Sequence, residues 1–93
     1  MFKIPRENVI ESDEGFSVEV LGRTGVLYSE EERTLRIDSE VLAGPAGLVI
    51  YTDSITRWAP PHEGEAVDVA TCQAIVENIR RAFRFRGLEI EVS

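Results

Sequence analysis

The feature that most constrains the fold of this chain is an amphipathic helix predicted close to its C-terminal end. Asp68 suits the N-cap position, and Gly87 can adopt the left-handed conformation in which many helices end. Between them, apolar side chains recur every three or four residues and share one helical face: Val69, Cys72, Ile75, Val76, Ile79, Ala82 and Phe83. Such a face requires a second layer to cover it, and we expect that layer to be a sheet.

Strand-like runs before the helix predict this sheet. Phe16, Val18 and Val20 alternate with other side chains, as in a strand with one buried face. Residues 25–28 and 34–37 flank the polar segment 29–33 and predict a hairpin with a loop of four or five residues. Turn residues cluster over 44–47, and the apolar run 48–52 predicts a strand near the centre of the sheet.

The last third of the chain completes the predicted architecture. Two prolines make residues 58–64 incompatible with an α-helix or with regular β-sheet hydrogen bonding. We expect this segment to be a loop that leads into the helix. Leu88, Ile90 and Val92 alternate with polar side chains and predict a final strand. We therefore expect an α+β fold: a mainly antiparallel sheet of five or six strands, one long C-terminal amphipathic helix packed on one face, and a final strand.

The length and composition of the chain limit its organisation. Its 93 residues, 43% hydrophobic and 29% charged, are expected to form one domain, residues 1–93, with one core and no deep substrate cleft. The single cysteine, Cys72, cannot form an internal disulfide, and no signal-peptide pattern opens the chain. Every apolar run is far shorter than the roughly 20 residues that span a bilayer. We expect a cytoplasmic protein in a reducing compartment.

An excess of acidic side chains limits the possible partners. Seventeen Asp and Glu residues against ten Lys and Arg residues give a net charge of −7, which repels the phosphates of nucleic acid. Residues 1–68 contain fourteen acidic and six basic side chains, whereas residues 69–86 contain one acidic side chain and four arginines. We expect one strongly negative face and no direct binding of nucleic acid.

The sequence contains no motif for catalysis or for a cofactor. His62 is the only histidine, which is too few for a histidine metal cluster, and Cys72 falls on the apolar helix face as a core cysteine would. Asp38 and Glu40, or Glu30–Glu32, offer oxygen ligands without the spacing of a calcium loop. Neither a phosphate-binding glycine loop nor a nucleophile elbow occurs. We predict no catalytic, metal-binding or cofactor-binding residue and no enzyme activity.

Two features of the loops suit the binding of another protein. The acidic tip of the predicted hairpin, Glu30–Glu32, is either a solvated turn or a surface that steers toward a basic partner. Trp58 either seals the edge of the core or anchors an interface. The same two interpretations apply to Tyr51, Asp53 and Arg57.

The end of the predicted helix is basic. Its last turns contain four arginines: Arg80, Arg81, Arg84 and Arg86. These side chains either form a solvated face that balances the acidic strands or contact a partner or a second copy of the chain. On so acidic a chain they would make a poor site for nucleic acid.

The segment around the tryptophan carries a family pattern. Residues 51–61 contain a tyrosine, a serine-isoleucine pair, the tryptophan and two prolines, and they precede a helix that contains Ile-Val-Glu-Asn-Ile at 75–79. Residues 37–40, Gly87 and the terminal strand extend the pattern. Over residues 25–92 the chain resembles the immunity protein 74 family of bacterial polymorphic toxin systems.

The resemblance implies a cytosolic antidote that binds a toxin domain stoichiometrically and blocks its active site or its activation. Many toxin domains that act on nucleic acid are basic, and an acidic antidote would associate with them rapidly. The candidate partner-binding residues are Glu30, Glu31, Glu32, Asp38, Glu40, Tyr51, Asp53 and Trp58. The alternatives are a structural or regulatory subunit that self-associates through a sheet edge or the arginine-bearing helix, and a minimal enzyme with paired carboxylates.

Overall fold

The fold, taken from a computed structural model that describes residues 1–42 and 46–93, is a seven-stranded sheet with one long helix in these residues. The strands are β1 (Phe2–Arg6), β2 (Val9–Ser12), β3 (Phe16–Val20), β4 (Gly25–Glu30), β5 (Arg33–Val41), β6 (Ala46–Ile50) and β7 (Glu89–Val92). A 3₁₀ turn, Thr52–Ser54, follows β6, and the helix α1 spans Val69–Phe85. The α+β class and the order of helix and final strand are confirmed.

Strand pairing follows chain order across the sheet. Each strand from β1 to β6 pairs with the next in antiparallel fashion, whereas β7 pairs with β6 in parallel. Parallel neighbours cannot be joined by a tight turn, and residues 51–88, which contain α1, make the crossover. The sheet is therefore mixed, although most of its pairings are antiparallel.

The number of strands differs from the prediction of five or six because β1 and β2 form an additional hairpin at one edge. In β1 only Phe2 is half-buried and Pro5 lies within the strand, which an edge strand tolerates. In β2 the two buried residues, Val9 and Ile10, are adjacent. Phe2-Lys3-Ile4 alternates only briefly before Pro5, and β2 does not alternate, so the pattern that reveals other strands is too short here to detect.

The β4–β5 hairpin is tighter than predicted. Glu30 pairs with Arg33, so its loop contains the two residues Glu31 and Glu32 and not four or five. Glu31 adopts a positive φ of 57°, a conformation that two-residue hairpin loops commonly require. The prediction of a longer loop was wrong because polar residues on both sides of the turn pair as strand.

The segment around β6 also corrects two expectations. The turn predicted over 44–47 lies partly outside the described residues, which resume at Ala46, the first residue of β6. The strand predicted over 48–52 ends at Ile50, and Tyr51 leads into the 3₁₀ turn. β6 pairs on both sides, but as the sixth of seven strands it lies next to the edge strand and not at the centre.

The core lies between α1 and one face of the sheet. Fully or almost fully buried side chains come from both layers: Val18, Val26, Ile37 and Ile50 from the sheet, and Ile75, Ile79 and Ala82 from the helix. Val69, the first residue of the predicted apolar face, is 74% exposed. The apolar face of α1 therefore extends beyond the core that it covers.

Both ends of α1 have the predicted caps. Asp68 Oδ1 accepts a hydrogen bond from the backbone N–H of Thr71 at 2.7 Å. At the C-terminal end, the N–H groups of Gly87 and Leu88 donate to carbonyls of the last turn, and Gly87 has a φ of 79°. This pair of bonds is a Schellman motif, which requires the left-handed residue that glycine supplies.

Among the described residues, no helix has the length and apolar character needed to cross a membrane.

Candidate partner-binding surface

Strand β5 separates the candidate residues into two groups. Glu31 and Glu32 form the loop before it, with Glu30 opposite its first residue, whereas Asp38, Glu40, Tyr51 and Asp53 lie in or beside its other half. At a rise of about 3.3 Å per residue, the strand places Glu31 and Asp38 roughly 20 Å apart. The predicted residues do not form one continuous site.

The hairpin loop carries exposed carboxylates around one arginine. Arg33 Nη2 donates to Glu65 Oε1 at 2.7 Å, and Arg33 Nη1 lies 4.0 Å from Glu31 Oε2. Glu65 also contacts His62 Nδ1 at 2.8 Å. The Arg33 guanidinium, and secondarily His62, hold the pKa of the Glu65 carboxyl below its ordinary value. The loop is acidic, but part of its charge is already balanced within the chain.

Glu30 differs from its two neighbours because it belongs to a hydrogen-bond network. Its Oε1 atom accepts from the hydroxyl of Tyr28 at 2.7 Å, and that hydroxyl accepts from Asn78 Nδ2 at 2.9 Å. Burial raises the pKa of Tyr28, so the phenol stays protonated and continues to donate. Tyr28 thus links β4 to α1 and Glu30 accepts from its hydroxyl, whereas Glu31 and Glu32 are exposed to solvent.

The second group is held together by backbone contacts. The N–H of Asp38 donates to Ser54 Oγ at 2.9 Å, and the N–H of Tyr51 donates to the carbonyl of Asp38 at 3.0 Å. These bonds fix the 3₁₀ turn, which carries the exposed Asp53, against β5. The Asp38 carboxylate accepts from Arg36 Nη1 at 2.9 Å, and Glu40 is exposed beyond it on the same strand.

Trp58 belongs to the core. Only 6% of it is exposed, and its ring lies 6.4 Å from that of Tyr28 between centroids. Tyr28 in turn stacks on Phe16, which meets Phe2 edge to face, so that four aromatic rings follow one another through the molecule. Of the two interpretations of Trp58, the structure favours core packing over an exposed interface anchor.

A groove of about 600 Å³ opens between the 3₁₀ turn, the first turns of α1 and the end of β7. Its apolar lining consists of Ile55, Val67, Val69, Cys72, Val76 and Val92. Ile55 is buried, Cys72 is partly buried, and Val69 and Val92 are 74% and 43% exposed. The volume is within the range of about 300–1,000 Å³ that is typical of ligand pockets.

The charged residues of this groove are all acidic. Asp53, Asp68 and Glu77 line it, and none of the described lining residues is lysine, arginine or histidine. The N–H of Thr71, and secondarily its side chain, hold the pKa of the Asp68 carboxyl below its ordinary value through hydrogen bonds. Glu77 lies 3.4 Å from Arg80 Nε on the same helix, a contact at the surface. The groove therefore favours cationic and apolar groups and disfavours anions.

Asp53 is the only residue of this groove that the sequence predicted to bind a partner. A signal for the others was present: the apolar helix face begins at Val69, one residue after an acidic N-cap. Periodicity places such residues on a common face, but it cannot show that the sheet leaves the first turn of that face uncovered. Val92, which is distant in the sequence, reaches the groove because β7 pairs in parallel with β6.

The four arginines near the helix end contact other parts of the same chain. Arg81 forms a bidentate pair with Glu14 in the turn between β2 and β3, and Arg84 Nε lies 3.2 Å from Glu89 Oε1. Arg86 Nη1 donates to the carbonyl of Glu7 at 2.9 Å. Together with the Arg80 contact described above, these interactions favour a role inside the fold over a free basic surface.

The described residues offer little for metal chemistry. Within 1–42 and 46–93, no group of three or more His, Cys, Asp or Glu side chains is arranged to hold a metal ion. Asp38 and Glu40, which offered oxygen ligands in the sequence, are both exposed along one strand, where Asp38 pairs with Arg36. The described surface is suited to binding another molecule through charged and apolar contacts.

Comparison with known proteins identifies a family. The model of the family described as Immunity protein 74 matches residues 17–93. The match contains β3 to β7, α1, both groups of candidate residues and the groove, and it begins nearer the N-terminus than the resemblance noted in the sequence. Neither the curated proteins nor the solved structures include a significant match. The chain belongs to the immunity protein 74 family.

Proposed function

We propose that this protein is the cytoplasmic antidote of a bacterial polymorphic toxin and that it neutralises the toxin domain by forming a stoichiometric complex. The family match over residues 17–93 carries the proposal. The acidic surface supports it, because a net charge of −7 suits a basic partner.

The exposed acidic residues attract the toxin domain electrostatically and thereby speed its association with this chain. Complementary charge raises the association rate of a protein pair more than it raises the affinity, and the effect falls as salt screens it. Glu31 and Glu32 are well placed for this role because their hairpin loop is exposed. Asp38, Glu40, Tyr51 and Asp53 form the second part of the proposed contact surface.

A binding function, without catalysis, agrees with the described chemistry of the chain. Cys72 is a partly buried side chain in a groove whose charged residues are all carboxylates, so among the described lining residues no lysine, arginine or histidine is placed to stabilise a thiolate. His62 contacts a glutamate that is already paired with an arginine. We therefore propose that the protein acts by occupying a surface of the toxin and not by modifying it.

Association kinetics with the toxin domain encoded beside this gene test the proposal. The wild-type chain should bind that domain, and the double variant Glu31→Lys/Glu32→Lys should associate about tenfold more slowly at low salt. The difference should largely disappear at about 1 M salt, where the screening length is about 3 Å.

The matched control reverses two charges elsewhere. Glu7 and Glu11 are exposed on the β1–β2 hairpin, so Glu7→Lys/Glu11→Lys changes the net charge equally and should slow association less. If the wild-type chain does not bind the toxin domain, the proposed function is wrong. If it binds but the two double variants associate equally fast, the role of the hairpin loop is wrong while the function stands.

A further inference from the structure

We infer that the groove beside the 3₁₀ turn receives a toxin segment in which a lysine or arginine side chain adjoins apolar ones. This inference rests on the proposed function and adds the chemistry of the segment that is bound. For the argument we call the site the acidic groove, defined by Asp53, Asp68 and Glu77 at its margin and by the apolar residues between them.

The helix contributes an apolar surface that the core leaves uncovered. Val69, Cys72 and Val76 succeed one another at intervals of three and four residues and therefore share one face of α1. Exposure along this face increases toward the N-terminal end: Val76 is 9% exposed, Cys72 is partly buried and Val69 is 74% exposed. The apolar strip of α1 thus continues from the core into solvent at the first turn of the helix, where a partner could pack against it.

The opposite wall of the groove is apolar as well. Ile55 is 4% exposed and belongs to the core, and Val92 of the edge strand β7 is 43% exposed. The 3₁₀ turn beside them is anchored, because the N–H and the hydroxyl of Thr52 both donate to the carbonyl of Ser93 at 3.0 Å. Both walls are thus fixed by the fold, and a bound segment would meet a preformed apolar surface.

Charge selects the occupant. With Asp53, Asp68 and Glu77 at the margin and no cationic residue among the described lining, an anionic or nucleic-acid ligand would be repelled. A second copy of this chain is also disfavoured, since each copy carries a net charge of −7 and the helix-end arginines already contact groups of their own chain. A toxin segment with one or two basic side chains beside aliphatic or aromatic ones complements both the charge and the apolar walls.

Two groove variants test this assignment by binding to the toxin domain encoded beside this gene. Asp53→Asn/Glu77→Gln removes two charges and should raise Kd about tenfold, mainly through slower association at low salt. Val69→Ser removes an exposed apolar contact and should accelerate dissociation with little change in association. Asp53 and Val69 are exposed, so the thermal unfolding midpoints should stay close to that of the wild type.

The control variant is Glu7→Gln/Glu11→Gln, which makes the same change of net charge. Glu7 lies by the other end of α1, where its carbonyl accepts from Arg86. Along α1, Phe85 at that end lies about 12 Å from Glu77 and about 24 Å from Val69, the two ends of the helical part of the groove. This variant should keep the wild-type dissociation rate and a Kd within about twofold of it.

The single cysteine provides a second measurement that needs no substitution. Cys72 lies in the groove wall, so a bound segment should shield its thiol, and alkylation by N-ethylmaleimide should be much slower in the complex than in the free chain. If the complex forms while Cys72 reacts at the free rate and both groove variants bind like the wild type, the inference is overturned and the proposed function stands. If no complex forms, both are wrong.

Discussion

At the scale of single residues, the Tyr28 hydroxyl is the centre of a hydrogen-bond network that joins a strand to the helix. Tyr28 is fully buried, and its hydroxyl donates to Glu30 and accepts from Asn78, thereby joining a strand to the helix. A buried network of this kind stabilises a fold when all its members have partners. It also explains why Glu30, although adjacent to the exposed loop, is a structural residue.

We expect Tyr28→Phe to lower the free energy of unfolding by about 2 kcal/mol, because Glu30 and Asn78 would each lose a hydrogen-bond partner. Urea unfolding monitored by circular dichroism measures this change. Tyr51→Phe is the control: in the described part of the chain the Tyr51 hydroxyl makes no hydrogen bond, so that variant should unfold at nearly the wild-type urea concentration. Equal losses in both variants would contradict the network.

At the scale of elements, the first turn of α1 contributes both to the fold and to the lining of the acidic groove. Asp68 caps the helix through the N–H of Thr71, and its carboxylate also lies at the margin of the acidic groove. Hydrogen bonds from Thr71 favour the charged form of Asp68, whereas desolvation opposes it. Since the pKa of Asp68 is lowered, the hydrogen bonds are the stronger influence.

The lowered pKa of Asp68 predicts a pH dependence of stability. A carboxyl whose pKa is lower in the folded than in the unfolded state contributes stability above its ordinary value of 3.8 and loses it as the pH falls through the folded-state pKa. Asp68→Asn keeps an acceptor for Thr71 but removes the charge. Wild type should therefore melt at a higher temperature than Asp68→Asn near neutral pH, and the difference should shrink in acid.

Asp68→Ala separates the capping bond from the charge. It removes both, so it should melt below Asp68→Asn near neutral pH, by a few degrees, because alanine cannot accept from the Thr71 N–H. Thermal melts of the three proteins across the acid range provide the comparison. A difference between wild type and Asp68→Asn that is constant with pH would contradict the role assigned to the charge.

The elements also show what a sequence can and cannot predict. The span of α1, its two caps and the strands β3 and β7 were predictable because periodicity and capping depend on neighbouring residues. The hairpin β1–β2 was not predictable, since an edge strand with little burial has too little alternation to detect. The burial of Trp58 likewise depends on a ring, Tyr28, that is thirty residues away.

At the scale of the whole molecule, the acidic groove is a product of topology. Asp53, Val69 and Val92 are distant in the sequence and meet because the crossover through α1 returns the chain to the edge of β6. Sequence patterns predicted the excess of negative charge, one groove residue and the exposed hairpin loop. They could not predict the groove itself, because the uncovered end of the helix face follows from where the sheet stops.

The distribution of charge over the whole chain matches the proposed mode of action. The helix-end arginines contact groups of the same chain at the surface, whereas the hairpin loop and the groove margin present carboxylates to solvent. A partner would thus meet an acidic surface at either of two places, one suited to steering and one that also offers apolar contact. Both places lie within the residues that match the family.

Titrating toxin activity with this chain tests neutralisation by stoichiometric binding. A candidate toxin domain from an adjacent gene is held at a fixed concentration, well above the Kd, and mixed with increasing amounts of the protein. For a stoichiometric complex, activity should fall linearly and reach its minimum at one chain per toxin domain. Full activity at a molar excess of the chain, or complete inactivation by a small fraction of an equivalent, would contradict neutralisation by stoichiometric binding.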